Sequence, residues 1–396
     1  MSKNSPKILL VAYGGGHVAM LAPVWKKLTD DGYNVVFLAL TTAQKYLAQQ
    51  NIPYISFRDL PSNTDINVQK YGERLTAELS DGKISNDESI AYLGQSFRDL
   101  VLQHGEREAE NIYSEHGRHA FLPVNTLKEA IQMIAPDVVV TTNSPRAERA
   151  AIMAAGACGI PSVCVVDLYP SKEIEWLRNG GFAQKICVLN DAVKDILAAS
   201  GRPSEDVVVT GNPAFDRHYS FNGHQTAAKI RHDIFNNSIV VGLASNTMPA
   251  TRNIEGEKVK NLPREVFERV HRLCSEKNYA LALRQHPSEM EWADLGNTIN
   301  CKSWSLDLYL ASLDILITFP STIALEAQIH GVRTGIINFS PLSQTSPYLF
   351  NGDFEVIQQI EDIDELTVSA EQSKSTAHKK QVSATQKICN VIINVT

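Results

Sequence analysis

The chain has 396 residues, too long for one small module and suited to two domains at roughly 150 residues each. Hydrophobic residues at 43%, charged residues at 20% and aromatics at 7% exclude a largely disordered or fibrous chain. Thirty-seven Lys and Arg against 44 Asp and Glu leave a net charge of −7 with no long run of one sign, which argues against a nucleic-acid partner.

In chain order, Lys7 to Ala12 is a continuous apolar run and residues 14–16 are a glycine turn. Residues 18–31 then carry Met20, Leu21, Val24, Trp25 and Leu28 at helical spacing, and residues 34–40 are a second apolar run. This predicts a βαβ unit with strands buried on both faces, hence a parallel sheet. The opening apolar segment is interrupted by Tyr13-Gly-Gly-Gly-His17 within strand length, so the expectation is a strand rather than a secretory signal. Residues 60–136 lose the strand signal and read as a charged helical insertion, either a solvated layer or a place for acceptor contacts. Strands return at 137–142, 161–166, 183–189 and 207–210, with a helix over 145–158.

The polar stretch 216–237 lacks a strand pattern, and a second apolar start follows at 238–244. The expected organisation is therefore an N-terminal domain over 1–218, a linker over 219–237 and a second βα domain over 238–370. A C-terminal helix within 371–396 is expected to pack back toward the first domain. The six cysteines have no CxxC spacing and read as small buried hydrophobes in a reducing compartment. No apolar stretch reaches about 18 residues, so the expected location is the cytoplasm, with peripheral membrane contact left open.

Four motifs carry chemistry. Gly14, Gly15 and Gly16 let the backbone turn tightly before a helix N-terminus, and His17 at the mouth of that turn reads either as a general base or as a capping side chain. The spacing is not a dinucleotide fingerprint, and no acidic residue ends the second strand. Gly211 and Asn212, in Thr210-Gly-Asn-Pro213, form a turn that by itself is simply a good turn. Arg284 and His286 lie two apart at a strand end, placed either for a phosphate or as a solvated strand terminus. In 317–327, Ser321 and Thr322 stand at a helix start suited to an anion. Glu326 follows one turn later, as a ribose acceptor or as an ordinary first-turn carboxylate. Ser245 and Asn246, after the first strand of the second domain, face the same end of the sheet.

The order of these motifs resembles the GT-B superfamily, with two Rossmann-like doubly wound α/β domains facing across a cleft. The glycine turn is similar to that of the peptidoglycan GlcNAc transferase, and the late helix start to that of the hydrolysing UDP-GlcNAc 2-epimerases. The His-Pro pair followed by Ser-Thr is similar to bacterial CMP-sialic acid, CMP-Kdo and CDP-glycerol transferases. The resemblance implies a metal-independent glycosyltransferase that takes a nucleotide-sugar (UDP favoured, CMP as the other option) as substrate, with no cofactor and no metal ligand set. The acceptor would be a cell-surface glycan or glycolipid. It further implies that Arg284, His286, Ser321, Thr322 and Glu326 hold the nucleotide, that Gly211 and Asn212 border the cleft, and that His17 faces the acceptor. The epimerases carry carboxylates at the ends of the middle N-terminal strands. Here those places read Thr142-Asn143-Ser144 and Val166-Asp167-Leu168, which leaves Asp167 as the acid and as the alternative base to His17. The other readings are a hydrolysing NDP-sugar 2-epimerase and a catalytically silent nucleotide-sugar-binding subunit.

Overall fold

In the computed structural model, described over residues 5–77, 86–247, 261–340, 354–368 and 382–396, the first apolar run is strand β1 (Lys7–Ala12). Leu9 and Val11 enter one core while Ile8, Leu10 and Ala12 enter another, so no face of the strand is wet and its hydrophobicity is continuous. With β2 (Asn34–Ala39), β3 (Val138–Thr142), β4 (Ser162–Val165), β5 (Lys185–Val188) and β6 (Val207–Val209) it forms a parallel sheet in the order β2-β1-β3-β4-β5-β6. The chain reverses its direction of travel through the sheet between β1 and β3. In open α/β sheets, ligands bind beyond the carboxyl ends at such a point.

One face of this sheet is covered by the helix Gly16–Asp30 and by the C-terminal helix Ala384–Val395, whose Ile388, Cys389 and Ile392 are buried in the same core as Val18, Leu21 and Leu28. The other face takes the insertion, as helices Ile66–Ala77, Asn86–His104, Glu106–His116 and Val124–Ile134. Their interior is an aromatic pile in which Tyr71 meets Phe97 at 4.9 Å, Phe97 meets Tyr113 at 5.8 Å and Tyr113 stacks on Phe121 at 5.4 Å.

The chain divides into a unit made of Met1–Asp216 with Val382–Thr396, and a second made of Arg217–Gln381. The stretch expected as a linker, 219–237, is a folded part of the second unit. It holds the helix His224–Asp233, and Phe235 is 2% exposed in the core beside Tyr309 and Leu316. Of the expected C-terminal tail, 371–381 lies outside the described residues, and the remainder belongs to the first unit.

The second unit repeats the logic with β7 (Val240–Ala244), β8 (Ala280–Arg284), β9 (Ile299–Asn300), β10 (Ile315–Thr318), β11 (Arg333–Ile337) and β12 (Glu355–Ile357). They run parallel in the order β12-β11-β10-β7-β8-β9, the doubly wound arrangement whose reversal lies between β7 and β10. Val241, Leu243, Ile315 and Ile317 pack under the helix Leu262–Lys277, and Val240, Ala244 and Leu316 pack against Tyr309, Leu310 and Leu313. No helix among the described residues is long and apolar enough to cross a membrane.

Candidate functional site

In the first unit, the helix after β1 starts at Gly16, two residues before its expected start, and places His17 in its first turn. Two glycines make this approach possible. A Cβ on Gly14 would fall 1.5 Å from Thr42 Oγ1, and Gly15 has φ of 71°, in the left-handed region. His17 thereby reaches the end of β3, where its Nδ1 lies 2.8 Å from Thr142 Oγ1. Thr142 Oγ1 donates to Glu148 Oε1 at 2.9 Å, and the same oxygen accepts the backbone N–H of Tyr13 at 2.8 Å. Glu148 is fully buried in the first turn of the helix Ala147–Ala157, where the helix dipole favours a carboxylate.

This network assigns the histidine tautomer. The single proton of Thr142 goes to Glu148, so His17 Nδ1 must supply the N–H of its own bond, and the Nε2 lone pair is left to accept a proton. A carboxylate that orients a hydroxyl, which in turn orients an imidazole, is an arrangement that can support base chemistry.

The next residue on β3's exit, Asn143, holds Asp167. Its amide donates to Asp167 Oδ1 at 3.0 Å and its carbonyl accepts the Asp167 N–H at 3.0 Å. Asp167 Oδ1 also accepts the Leu168 N–H at 2.8 Å. Asn212 donates from Nδ2 to the Asp167 carbonyl at 2.8 Å, and its Oδ1 takes the Ala214 N–H at 2.9 Å. Gly211, at φ of 88°, makes the turn that delivers Asn212 there. His17, Asp167, Gly211 and Asn212 thus lie at the carboxyl ends of the strands of the first sheet, with Thr142 and Asn143 as the adjacent residues that link them.

In the second unit, Ser245 and Asn246 follow β7 while Ser321 and Thr322 follow β10, and the two strands are paired through Ala244 and Thr318. These four residues sit at that sheet's reversal point. Ser321 is the N-cap of the helix Thr322–Ile329, and its hydroxyl makes no hydrogen bond to a described residue. The N–H groups of Thr322 and Ile323 stand beside it, a place suited to a phosphate oxygen, while that of Ala324 donates to the Ser321 carbonyl at 3.1 Å. Glu326 is 6% exposed; its Oε1 receives Arg217 Nη2 and His218 Nε2, each at 3.0 Å, and its Oε2 makes no hydrogen bond to a described residue.

Arg284 and His286 part company. Arg284 donates from Nη1 to the carbonyls of Cys301 (3.0 Å) and Trp304 (2.9 Å) and lies over the Tyr309 ring, leaving Nε and Nη2 without a hydrogen bond to a described residue. The His286 side chain is exposed and meets Ser288 Oγ at 2.6 Å through Nδ1. Its backbone N–H goes to Glu289 Oε2 at 2.8 Å, and the same carboxylate accepts the Ser245 hydroxyl.

Glu148 and Glu289 organise these two regions, and none of the sequence motifs marks either of them.

No protein-family profile and no curated protein matches the chain. Among solved structures, UDP-GlcNAc 2-epimerase from Neisseria meningitidis, bound to UDP-GlcNAc, is similar over 98% of this chain and 100% of its own, at 13% identity and a TM-score of 0.61. UDP-GlcNAc 2-epimerase from Methanocaldococcus jannaschii is similar over 98% and 99%, at 11% identity and a TM-score of 0.60. MurG from Acinetobacter baumannii is similar over 98% and 100%, at 15% identity and a TM-score of 0.56. Two doubly wound parallel sheets and these likenesses together make the fold a two-domain α/β fold of the GT-B type.

Proposed function

We propose that the chain is an enzyme acting on a nucleotide-sugar, and specifically a glycosyltransferase that passes the sugar to a glycan or lipid-linked hydroxyl. The observation that carries this reading is His17, whose Nδ1 is committed to the Thr142 and Glu148 relay so that Nε2 can take the proton of an attacking hydroxyl. In the second unit, Ser321, Thr322 and the helix N-terminus they begin would meet the leaving phosphate. Glu326 Oε2 would accept a ribose hydroxyl, and Arg284 Nη2 would add a cation at the neighbouring strand end.

A second reading, hydrolytic epimerisation of a UDP-sugar, is favoured by the likeness to two UDP-GlcNAc 2-epimerases and by Asp167, an acid at the end of β4. Against it, the β3 end offers Asn143 where the resemblance would ask for a second acid, and Glu148 is buried with one oxygen already accepting two hydrogen bonds.

The deciding measurement is nucleotide release from a panel of UDP- and CMP-sugars, with and without cell-envelope acceptors. A transferase should release nucleotide chiefly when acceptor is present, and His17→Ala should lower that turnover by about 10²–10⁴-fold with little change in nucleotide affinity. Acceptor-independent release of UDP with a changed sugar configuration would establish the epimerase. Loss of turnover in Asp167→Asn but not in His17→Ala would move the base to Asp167.

A further inference from the structure

Behind the helix Thr322–Ile329, three side chains from separate parts of the second unit converge. His218 comes from the short helix Asp216–Tyr219, Asp307 from the helix Leu306–Ala311, and His330 is the C-cap of the helix Thr322–Ile329. His218 Nδ1 lies 2.5 Å from Asp307 Oδ1 and 3.3 Å from His330 Nε2, and His330 Nε2 lies 3.2 Å from the same Asp307 oxygen. Two imidazole nitrogens and a carboxylate oxygen therefore form a closed triangle. The two rings meet edge on, at 77°, rather than stacking.

The same three atoms can be joined by hydrogen bonds or by a metal ion. Joined by hydrogen bonds, both nitrogens would donate to the one Asp307 oxygen, as two donors share Glu326 Oε1 nearby. His218 has a further commitment, because its Nε2 faces Glu326 Oε1 at 3.0 Å and needs an N–H there. As a neutral imidazole with its proton on Nε2, His218 would present the Nδ1 lone pair to the triangle, as a metal ligand must; as an imidazolium it would instead donate to both Asp307 and Glu326.

We infer that His218, Asp307 and His330 are the ligands of a divalent transition-metal ion, of the zinc class. An ion about 1 Å off the plane of the three atoms would lie about 2 Å from each, the usual length for zinc bound to imidazole and carboxylate. Two of the separations, 3.2 and 3.3 Å, are what a tetrahedral zinc imposes on its ligand atoms at about that bond length, while the 2.5 Å between His218 Nδ1 and Asp307 Oδ1 would widen by about 0.8 Å on binding the ion. Two imidazoles with one carboxylate suit zinc and its transition-metal neighbours rather than magnesium or calcium, which prefer oxygen alone.

The surroundings fit the same assignment. The second nitrogen of His218 is held by Glu326, which is itself held by Arg217; a carboxylate behind a histidine ligand fixes the ring and raises its basicity. The His218 and His330 side chains are 0% and 3% exposed while Asp307 is 22% exposed, so solvent can reach the fourth position from the carboxylate side. Bound there, the ion would tie the start of the second unit to the helices that carry Asp307 and Glu326. It would stand behind Glu326, and its binding does not depend on the nucleotide-sugar reading.

The test is metal retention by the full-length chain. Protein stripped with a chelator, exposed to Zn2+ and passed through a desalting column should retain about one ion per chain, unfold at higher temperature than the stripped form, and turn intensely coloured with Co2+. Asp307→Asn and His330→Ala should each lower retention at least about tenfold, the scale expected for loss of a ligand or its support. Should His330→Ala fail to fold, Asp307→Asn and the Co2+ spectrum of the unaltered chain decide. No retention by the unaltered chain or a Co2+ spectrum like that of the free ion would overturn the assignment in favour of a purely hydrogen-bonded cluster, and full retention in Asp307→Asn would overturn it by placing the ion elsewhere.

Discussion

Thr142 has one hydroxyl proton, and its destination decides what His17 can do. Because Glu148 takes it, the imidazole is held as the tautomer with its proton on Nδ1 and its lone pair on Nε2. The motif in the sequence marks His17 but cannot distinguish a base from a cap, because the residues that decide come from a strand and a helix over a hundred positions later; Glu148 and Tyr13 are 135 apart. Ser321 is the converse case. Its place at a helix start is legible from the Phe-Pro-Ser-Thr run, and the structure adds that its hydroxyl makes no hydrogen bond to a described residue. Ser321→Ala combined with Thr322→Val should weaken UDP binding by about 2–4 kcal/mol, the loss of two hydrogen bonds to charged oxygen. Calorimetry with the two single variants alongside checks it, and an unchanged affinity in the double variant would remove the phosphate from this helix start.

At the scale of elements, the C-terminal helix Ala384–Val395 depends on a residue far from it in sequence. Asp216 accepts the Ser383 hydroxyl at 2.7 Å and the N–H groups of Ala384 and Thr385 at 2.9 and 2.8 Å. A carboxylate at a helix N-terminus satisfies orphan donors and complements the dipole. Asp216→Ala should therefore destabilise the first unit by about 1–3 kcal/mol, read as a lower denaturant midpoint; a midpoint equal to that of the unaltered chain would show the cap to be dispensable. In sequence, Asp216 merges with the polar stretch that follows. That stretch reads as a linker because His224–Asp233 is largely polar, and only Ala227, Ile230 and Phe235 betray a buried side.

For the first unit as a whole, a buried acid sets a pH dependence. Glu88 is fully buried in the insertion; its Oε1 accepts the Thr41 N–H at 3.4 Å and Arg58 Nε stands 3.4 Å from Oε2. Desolvation outweighs these contacts and pushes its carboxyl from the ordinary 4.5 up to about 7. The folded form therefore keeps this proton over a range in which the unfolded chain has released it, so stability falls as pH rises from about 4.5 to about 7 and levels off above. At pH 8, Glu88→Gln should be more stable than the unaltered chain by roughly 3 kcal/mol, with an advantage that vanishes toward pH 4.5. Denaturant titrations across that range measure it. A difference that does not vary with pH would show that Glu88 does not titrate in this way.

The sequence by itself determines the two parallel sheets and the ends of the strands at which chemistry gathers. Continuous apolar runs separated by helical periods admit few other solutions, and short local signals such as the glycine turn and the Ser-Thr start lie within a few residues of what they control. The tertiary structure decides the strand orders, and hence which strand ends are neighbours. It brings Thr142 and Glu148 to His17, Glu289 to Ser245, and Arg284 to the carbonyls of Cys301 and Trp304. It also gathers His218, Asp307 and His330, separated by 89 residues in one pair and 112 in another. No periodicity or spacing encodes such pairs, because they depend on the packing of whole elements rather than on the conformation of any one stretch of chain.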